Sequence, residues 1–167
     1  MKIIFMAIIL LYFSNIIVSQ DKYFIRINND TSKEYEFELK DTSASEQLKK
    51  KLPFTIKMTN YNNNEVYYKF GNDFSKNEKS IGTINTGDIY LYKSDTLVLF
   101  YKTFSTTYKY TEIGKIKDAT GLETIIGNND VLVQWCLNTC EDKLLNSRYI
   151  NKGNYLVLFW LSLLLLF

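Results

Sequence analysis

Lys33-Glu34-Tyr35-Glu36-Phe37-Glu38-Leu39-Lys40 is the stretch that decides the fold class of this chain. Its apolar residues alternate with charged ones, so an extended backbone places the two kinds of side chain on opposite faces of a strand. A turn-forming segment, Asn29 to Ser32, separates this stretch from the earlier run Tyr23 to Asn28. The two runs therefore predict a β-hairpin, and the fold expected around it is mainly β.

Further strands are predicted toward the C-terminus, where short runs are rich in Tyr, Phe, Thr and Ile. They cover Phe54 to Thr59, Glu65 to Phe70, Ile89 to Tyr92, Thr96 to Tyr101, Thr111 to Ile116 and Val131 to Trp135. Gly71 to Ser80 is polar and predicts a loop, and the glycines of Ile81 to Asp88 predict tight backbone geometry. The aromatic segment Lys102 to Tyr110 is expected to connect two strands.

Two short helices are predicted between the strands. Ser43-Ala44-Ser45-Glu46 has the pattern of a capping box, Leu48 and Leu52 extend one apolar side, and Pro53 ends the helix. Thr120 to Ile126 has a second apolar side and ends at Gly127, a natural helix stop. The assembly that accommodates this order is a single closed β-barrel with two short helices, predicted for residues 20–137.

Length and charge narrow the function. The 167 residues suit one core, and the formal charge of +2 from 20 basic and 18 acidic residues gives no broad field for a phosphate backbone. Nucleic acid is therefore not an expected partner. The chain has no histidine, which excludes Ser-His and Cys-His nucleophile pairs. No metal site and no cofactor are predicted.

The two ends predict the destination of the protein. Residues 1–19 have the positive start, apolar middle and small final residue of a secretory signal peptide, and an uncleaved membrane anchor is the alternative. Residues 138–154 form a polar spacer before the apolar tail 155–167. That tail is read as a signal for a glycosylphosphatidylinositol anchor attached near Asn146 and Ser147, as a short membrane anchor, or as a helix buried in the domain. We expect an exported protein at a cell surface or membrane.

Two features bear on modification in the secretory pathway. Asn29-Asp30-Thr31 is an N-glycosylation sequon that a eukaryotic host would use, which makes Asn29 the acceptor. Cys136 and Cys140 are the only cysteines of the chain, and an oxidising compartment would allow them to close a small loop. A disulfide and a pair of free thiols both stay open from the sequence.

The central segments resemble a known family. They are Asp88-Ile-Tyr-Leu-Tyr92, Leu97-Val-Leu-Phe-Tyr101, Phe104-Ser-Thr106, Tyr110-Thr111, Ile113-Gly-Lys-Ile116 and Gly121-Leu122. Together they are similar to the cyclophilin-like domain of bacterial hypothetical proteins, over Tyr23 to Trp135. The resemblance implies a closed barrel with helices at its ends, in a family whose activity is mostly uncharacterised. The arginine and glutamine-glycine motifs of cyclophilin isomerases are missing, so no catalytic residue is carried over.

A ligand surface is predicted on the aromatic segment. Its members are Lys102, Phe104, Ser105, Thr106, Tyr108 and Tyr110. Aromatic faces beside hydroxyls suit a groove for a peptide or a small molecule, although rings that simply cover the barrel end would give the same pattern. Asp88 and Asp118 are weaker polar candidates, because Asp near a turn usually accepts backbone hydrogen bonds.

Two function classes follow from these residues. A binding module needs a concave, partly apolar pocket on an otherwise filled barrel. An enzyme of the isomerase or lyase type needs titratable groups such as Lys102, Asp88 and Asp118 to converge within hydrogen-bond reach. We favour the binding module.

Overall fold

The structure is a computed structural model that describes residues 20–28, 30 and 32–140. The predicted signal peptide, the sequon residue Asn29, the anchor region at Asn146 and Ser147 and the apolar tail lie outside the described residues, as does the spacer beyond Cys140. Neither helix of the described ranges has the length and apolar composition of a membrane-spanning segment.

Nine strands and two helices make up the described part of the chain. In chain order they are β1 (Tyr23–Ile27), β2 (Tyr35–Leu39), α1 (Ser43–Lys49), β3 (Phe54–Tyr61), β4 (Glu65–Lys69), β5 (Lys79–Ile84), β6 (Asp88–Tyr92), β7 (Thr96–Phe100), β8 (Phe104–Ile116), α2 (Leu122–Ile126) and β9 (Val131–Leu137).

Eight of these strands close into an antiparallel barrel. Their order is β2-β1-β9-β3-β4-β7-β6-β8, and the second half of β8 returns to pair with β2. At this seam Phe37 lies opposite Ile116 and Leu39 lies opposite Gly114. The expectation of a mainly β, closed barrel with two short helices is therefore confirmed.

The barrel interior is filled by the inward residues of alternating strands. Tyr35 and Phe37 are buried while Glu38 is exposed, as the alternation of the opening stretch predicts. Trp135 is fully buried, with its ring edge-on to Phe37 at 5.5 Å between centroids and stacked on Phe54 at 5.9 Å. Such aromatic contacts add to the free energy of burial, so this cluster stabilises the pairing of β9 with its neighbours.

The N-cap of helix α1 lies one residue earlier than the sequence predicts. Thr42 is the N-cap, because its hydroxyl oxygen accepts a hydrogen bond from the backbone N–H of Ser45 at 3.1 Å. The Ser45 hydroxyl donates to the Ile113 carbonyl at 2.8 Å. The helix ends at Lys49, before Pro53, and it buries Ala44 and Leu48 on the predicted side.

The region from Lys79 to Ile116 departs most from the sequence-based expectation. Strand β5 includes the end of the predicted loop and the start of the segment predicted to have tight backbone geometry. The aromatic segment that was expected to connect two strands forms, from Phe104 onward, the first half of the 13-residue strand β8. Ile84 lies opposite Phe104, and Lys79 lies opposite Tyr110. We call the ribbon formed by β5 and residues 104–110 of β8 the arm.

A second apolar cluster holds the arm against the outside of the barrel. It consists of the buried residues Ile84, Tyr90, Val98, Phe100 and Tyr110. Strand β7 is consequently buried on both faces, with Leu97 and Leu99 turned to the barrel interior and Val98 and Phe100 turned to the arm. The molecule thus has a filled barrel and a separate layer on one side of it.

The described chain ends in a small covalent loop. Cys136 and Cys140 are joined by a disulfide, which is one of the two states that the sequence left open. The Arg26 guanidinium donates to the Cys140 carbonyl at 2.6 Å and pairs with the Glu34 carboxylate at 2.6 Å. These contacts fix the end of the described chain to β1.

Candidate functional site

A cleft of about 720 Å³ lies between the arm and the outer face of the barrel. One wall is formed by residues of β4, β7 and the ends of β3 and β6, and the other by the first half of β8. Five tyrosines contribute to the lining, together with Phe104 and several hydroxyl side chains. The tyrosines are Tyr61, Tyr67, Tyr92, Tyr108 and Tyr110.

Strand register places the barrel-side residues of the cleft. Tyr61 of β3 lies directly opposite Glu65 of β4, and Glu65 lies directly opposite Phe100 of β7. Directly opposite residues of an antiparallel pair point to the same face of the sheet, with Cβ atoms about 5 Å apart. Tyr61, Glu65 and Phe100 therefore form a row on the outer face, and Tyr67 lies two positions further along the same face of β4.

The tyrosine rings form two contact groups in the cleft, one on the barrel side and one in which Tyr92 of β6 meets the arm. Tyr61 is edge-on to Tyr67 at 6.2 Å between centroids, and Tyr92 lies 6.1 Å from Tyr108 and 5.7 Å from Tyr110. Tyr61 is 54% exposed and Tyr108 is 62% exposed, whereas Tyr110 is buried. Each group consequently has an inner ring that packs on the protein and an outer ring with a face free for contact.

Glu65 is the charged residue of the cleft. Burial raises the pKa of its carboxyl from the ordinary value of 4.5 to about 7. Within the described residues no side-chain hydrogen bond or ion pair satisfies this carboxylate. The pKa of Tyr110 is raised to about 12, first by burial and then by the negative charge of Glu65.

The structure brings most of the predicted ligand surface into this cleft. Phe104, Ser105, Thr106, Tyr108 and Tyr110 all line it. Lys102 does not. Its ammonium lies 3.3 Å from the Glu123 carboxylate, outside the cleft lining.

Asp88 and Asp118 accept backbone hydrogen bonds in separate turns. Asp88 Oδ2 accepts from the Asn85 N–H at 2.8 Å, and Asp118 Oδ1 accepts from the Thr120 N–H at 2.9 Å. The hydrogen bonds with Thr120 lower the pKa of Asp118. In the part of the chain described, no hydrogen bond or ion pair joins any two of Asp88, Asp118 and Lys102. The convergence that the enzyme hypothesis requires of these three residues is therefore not observed.

Among residues 20–28, 30 and 32–140, no group of three or more Cys, Asp or Glu side chains is arranged to hold a metal ion. The cleft itself offers one carboxylate, with phenols, hydroxyls and amides around it. Its chemistry suits contact with aromatic faces and recognition of a single charge.

Sequence reasoning missed the barrel side of the cleft. Tyr61, Glu65, Tyr67 and Tyr92 come from β3, β4 and β6, and none of them was among the predicted ligand-surface residues. A usable signal was present, because an outward face that carries Tyr and Phe where charged residues usually stand indicates a covering layer. The continuous apolar run of β7 is a second such signal, since it is typical of a strand buried on both sides.

The ionisation of Glu65 should make the stability of the protein depend on pH. A folded-state pKa above the unfolded one favours folding at low pH, and this contribution is lost as pH rises from 4.5 through about 7. We expect Glu65→Gln to stabilise the protein at pH 8 by about 1 kcal/mol, a figure reduced for the partial exposure of the carboxyl. At pH 4 the variant and the parent should be almost equally stable.

Urea unfolding at the two pH values measures this difference. Glu38→Gln is the matched control, because Glu38 is an exposed carboxylate on β2 outside the cleft. A Glu65→Gln variant that is less stable than the parent at pH 8 would contradict the assignment.

Comparison with known proteins places the barrel and the arm in one family. The sequence model of the Cyclophilin-like family matches residues 25–135. No curated protein matches the chain. The match begins in β1, ends in β9 and includes the whole arm and the cleft. Because it covers more than half of the chain, we conclude that this protein belongs to the cyclophilin-like family.

Proposed function

We propose that this protein is a binding module that takes up a peptide or a small ligand in the aromatic cleft. The observation that carries the proposal is the convergence of five tyrosines and Phe104, from β3, β4, β6 and β8, on one cleft of about 720 Å³. Ligand sites usually measure about 300 to 1,000 Å³ and combine an apolar lining with a few polar groups.

The exposure of the outer rings supports this function over a purely structural role. Rings that only cover a core are themselves buried, as Phe100 and Tyr110 are. Tyr61 and Tyr108 have more than half of their surface in solvent on opposite sides of the cleft. Exposed aromatic faces around a concavity are characteristic of surfaces that bind other molecules.

We also propose that the protein is exported and attached to a membrane. Export and attachment are supported by the signal-like residues 1–19 and the apolar tail 155–167. The binding module would then face the outside of the cell or the lumen of the secretory pathway, with the membrane as its second partner. An isomerase function has weaker support, because Glu65 is the one acidic or basic side chain that lines the cleft in the described part of the chain.

Ligand-observed NMR with the full chain in maltoside micelles tests the proposal. The probes are capped dipeptides and small aromatic and aliphatic compounds. We expect saturation transfer to a subset of them and at least about fivefold weaker binding of that subset by Tyr108→Ala, from the loss of one aromatic contact face. Phe104→Ala should weaken the same subset, although it also removes a ring contact with Phe100 at 5.6 Å.

Leu132→Ala is the matched control, because Leu132 is a partly exposed apolar residue of β9 outside the cleft. Circular dichroism of each variant establishes that the fold is retained. Equal binding by the parent, Tyr108→Ala and Leu132→Ala would reject the cleft as the ligand site.

A further inference from the structure

The charge of the cleft is unusual for this chain. The full sequence has slightly more basic than acidic residues, 20 against 18. Nevertheless, Glu65 is the one acidic or basic side chain among the described residues that line the cleft, so no Lys or Arg there offsets it. The cleft therefore presents a single negative charge among aromatic rings.

Glu65 has no cation beside it among the described residues, in contrast to two other carboxylates that are at least partly buried. Asp88 has the Lys115 ammonium at 3.8 Å, and Glu36 has the Lys117 ammonium at 2.6 Å. A carboxylate withdrawn from water without a partner is costly, and buried charges in proteins are normally paired. The counter-ion of Glu65 is consequently best sought in a molecule that enters the cleft.

The neighbours of Glu65 suit a cation with an apolar surface. Tyr61 lies directly opposite it on β3, and Tyr67 follows two residues later on its own strand. A cation bound at the carboxylate lies within reach of these ring faces, where the negative quadrupole of an aromatic ring attracts it. The outer ring of Tyr108 is available on the arm side.

We propose that the cleft binds a small organic ammonium cation, with Glu65 as its counter-ion and the rings of Tyr61, Tyr67 and Tyr108 as its aromatic walls. This inference rests on the proposed binding function and specifies its ligand class. Primary and quaternary ammonium groups share the required chemistry. A neutral ligand would leave the Glu65 carboxylate without a counter-ion, and an anion would be repelled by it.

The cation should bind more tightly as Glu65 loses its proton. The other titratable groups that line the cleft are the phenols of the five tyrosines. Affinity should therefore rise between pH 6 and pH 8, in step with a carboxyl pKa of about 7, and then level off.

Isothermal titration of the full chain in maltoside micelles, which carry no ammonium group, tests the inference. The probes are choline, n-butylammonium and 3,3-dimethyl-1-butanol, the last being a neutral carbon analogue of choline. At pH 8 we expect at least one cation to bind about tenfold more tightly than the neutral alcohol, as expected for a desolvated cation–aromatic contact with a counter-ion. The stronger cation shows whether the cleft prefers the quaternary or the primary ammonium probe.

Two pairs of variants test which residues cause the preference for the cation. Glu65→Gln should remove the preference for the cation and its pH dependence while the neutral alcohol binds as before, and Glu38→Gln should change neither. Tyr61→Leu should weaken the cation several-fold, and Tyr61→Phe should retain binding because the ring face is kept.

The outcomes separate this inference from the proposed function. If the alcohol binds as tightly as the cations, or if Glu65→Gln leaves their ratio unchanged, the ammonium inference is wrong while a cleft-binding module is supported. If none of the three probes binds, the inference is overturned as well. The dipeptide and small-compound survey then decides the proposed function independently.

Discussion

Replacing Gly114 with alanine is expected to destabilise the protein by at least about 3 kcal/mol, because overpacking here acts on backbone that cannot move aside. Gly114 lies on β8 at the seam where the barrel closes, opposite Leu39. A Cβ atom built on it would overlap the Glu38 carbonyl oxygen and lie 3.3 Å from the Glu38 carbonyl carbon and 3.4 Å from Leu39 Cα. The added methyl group can be accommodated only by separating β2 from β8.

Urea unfolding followed by circular dichroism measures the loss. Gly71→Ala is the matched control, because a Cβ atom at Gly71 meets nothing within 4 Å. This control should change the free energy of unfolding by less than about 1 kcal/mol. Equal unfolding midpoints for the two variants would show that the seam is not closed as described.

The barrel could be predicted because its strands carry their own signal. In β2 the alternation of Tyr35, Glu36, Phe37 and Glu38 fixes both the extended conformation and the face that is buried. Helix α1 was equally visible from its buried Ala44 and Leu48. The cap was misplaced by one residue because Thr42 and Ser43 both have a hydroxyl that suits an N-cap.

The arm was missed because its structure depends on pairing between distant segments. Strand β5 buries one residue, Ile84, and contains Gly82, which weakens local strand propensity. Only its ladder with the first half of β8 makes it a strand. The aromatic residues of that half were predicted to form a ligand surface. Tyr61 and Glu65, which line the same cleft, lie on β3 and β4, and no local sequence pattern indicates that these strands face β8.

Phe100 links the arm to the barrel, and its replacement with alanine is the second large expected effect. The ring is fully buried and lies 5.6 Å from the rings of both Phe104 and Tyr110, and 6.0 Å from that of Tyr90. We expect Phe100→Ala to cost about 3 to 5 kcal/mol, the usual range for deleting a buried aromatic side chain. The loss should fall first on the arm, because Phe104 and Tyr110 belong to the arm and pack directly on the Phe100 ring.

Amide hydrogen exchange distinguishes loss of the arm from loss of the whole fold. Phe100→Ala should accelerate exchange in β5 and in residues 104–110 more than in β1, β3 and β9. Leu99→Ala is the control, since Leu99 is a fully buried residue of the same strand that faces the barrel interior, and it should accelerate exchange throughout the barrel. The same pattern in both variants would contradict a separate outer layer. Because the arm forms one wall of the cleft, Phe100→Ala should also abolish ligand binding while the closed barrel persists, which ties the function of the cleft to the second apolar cluster.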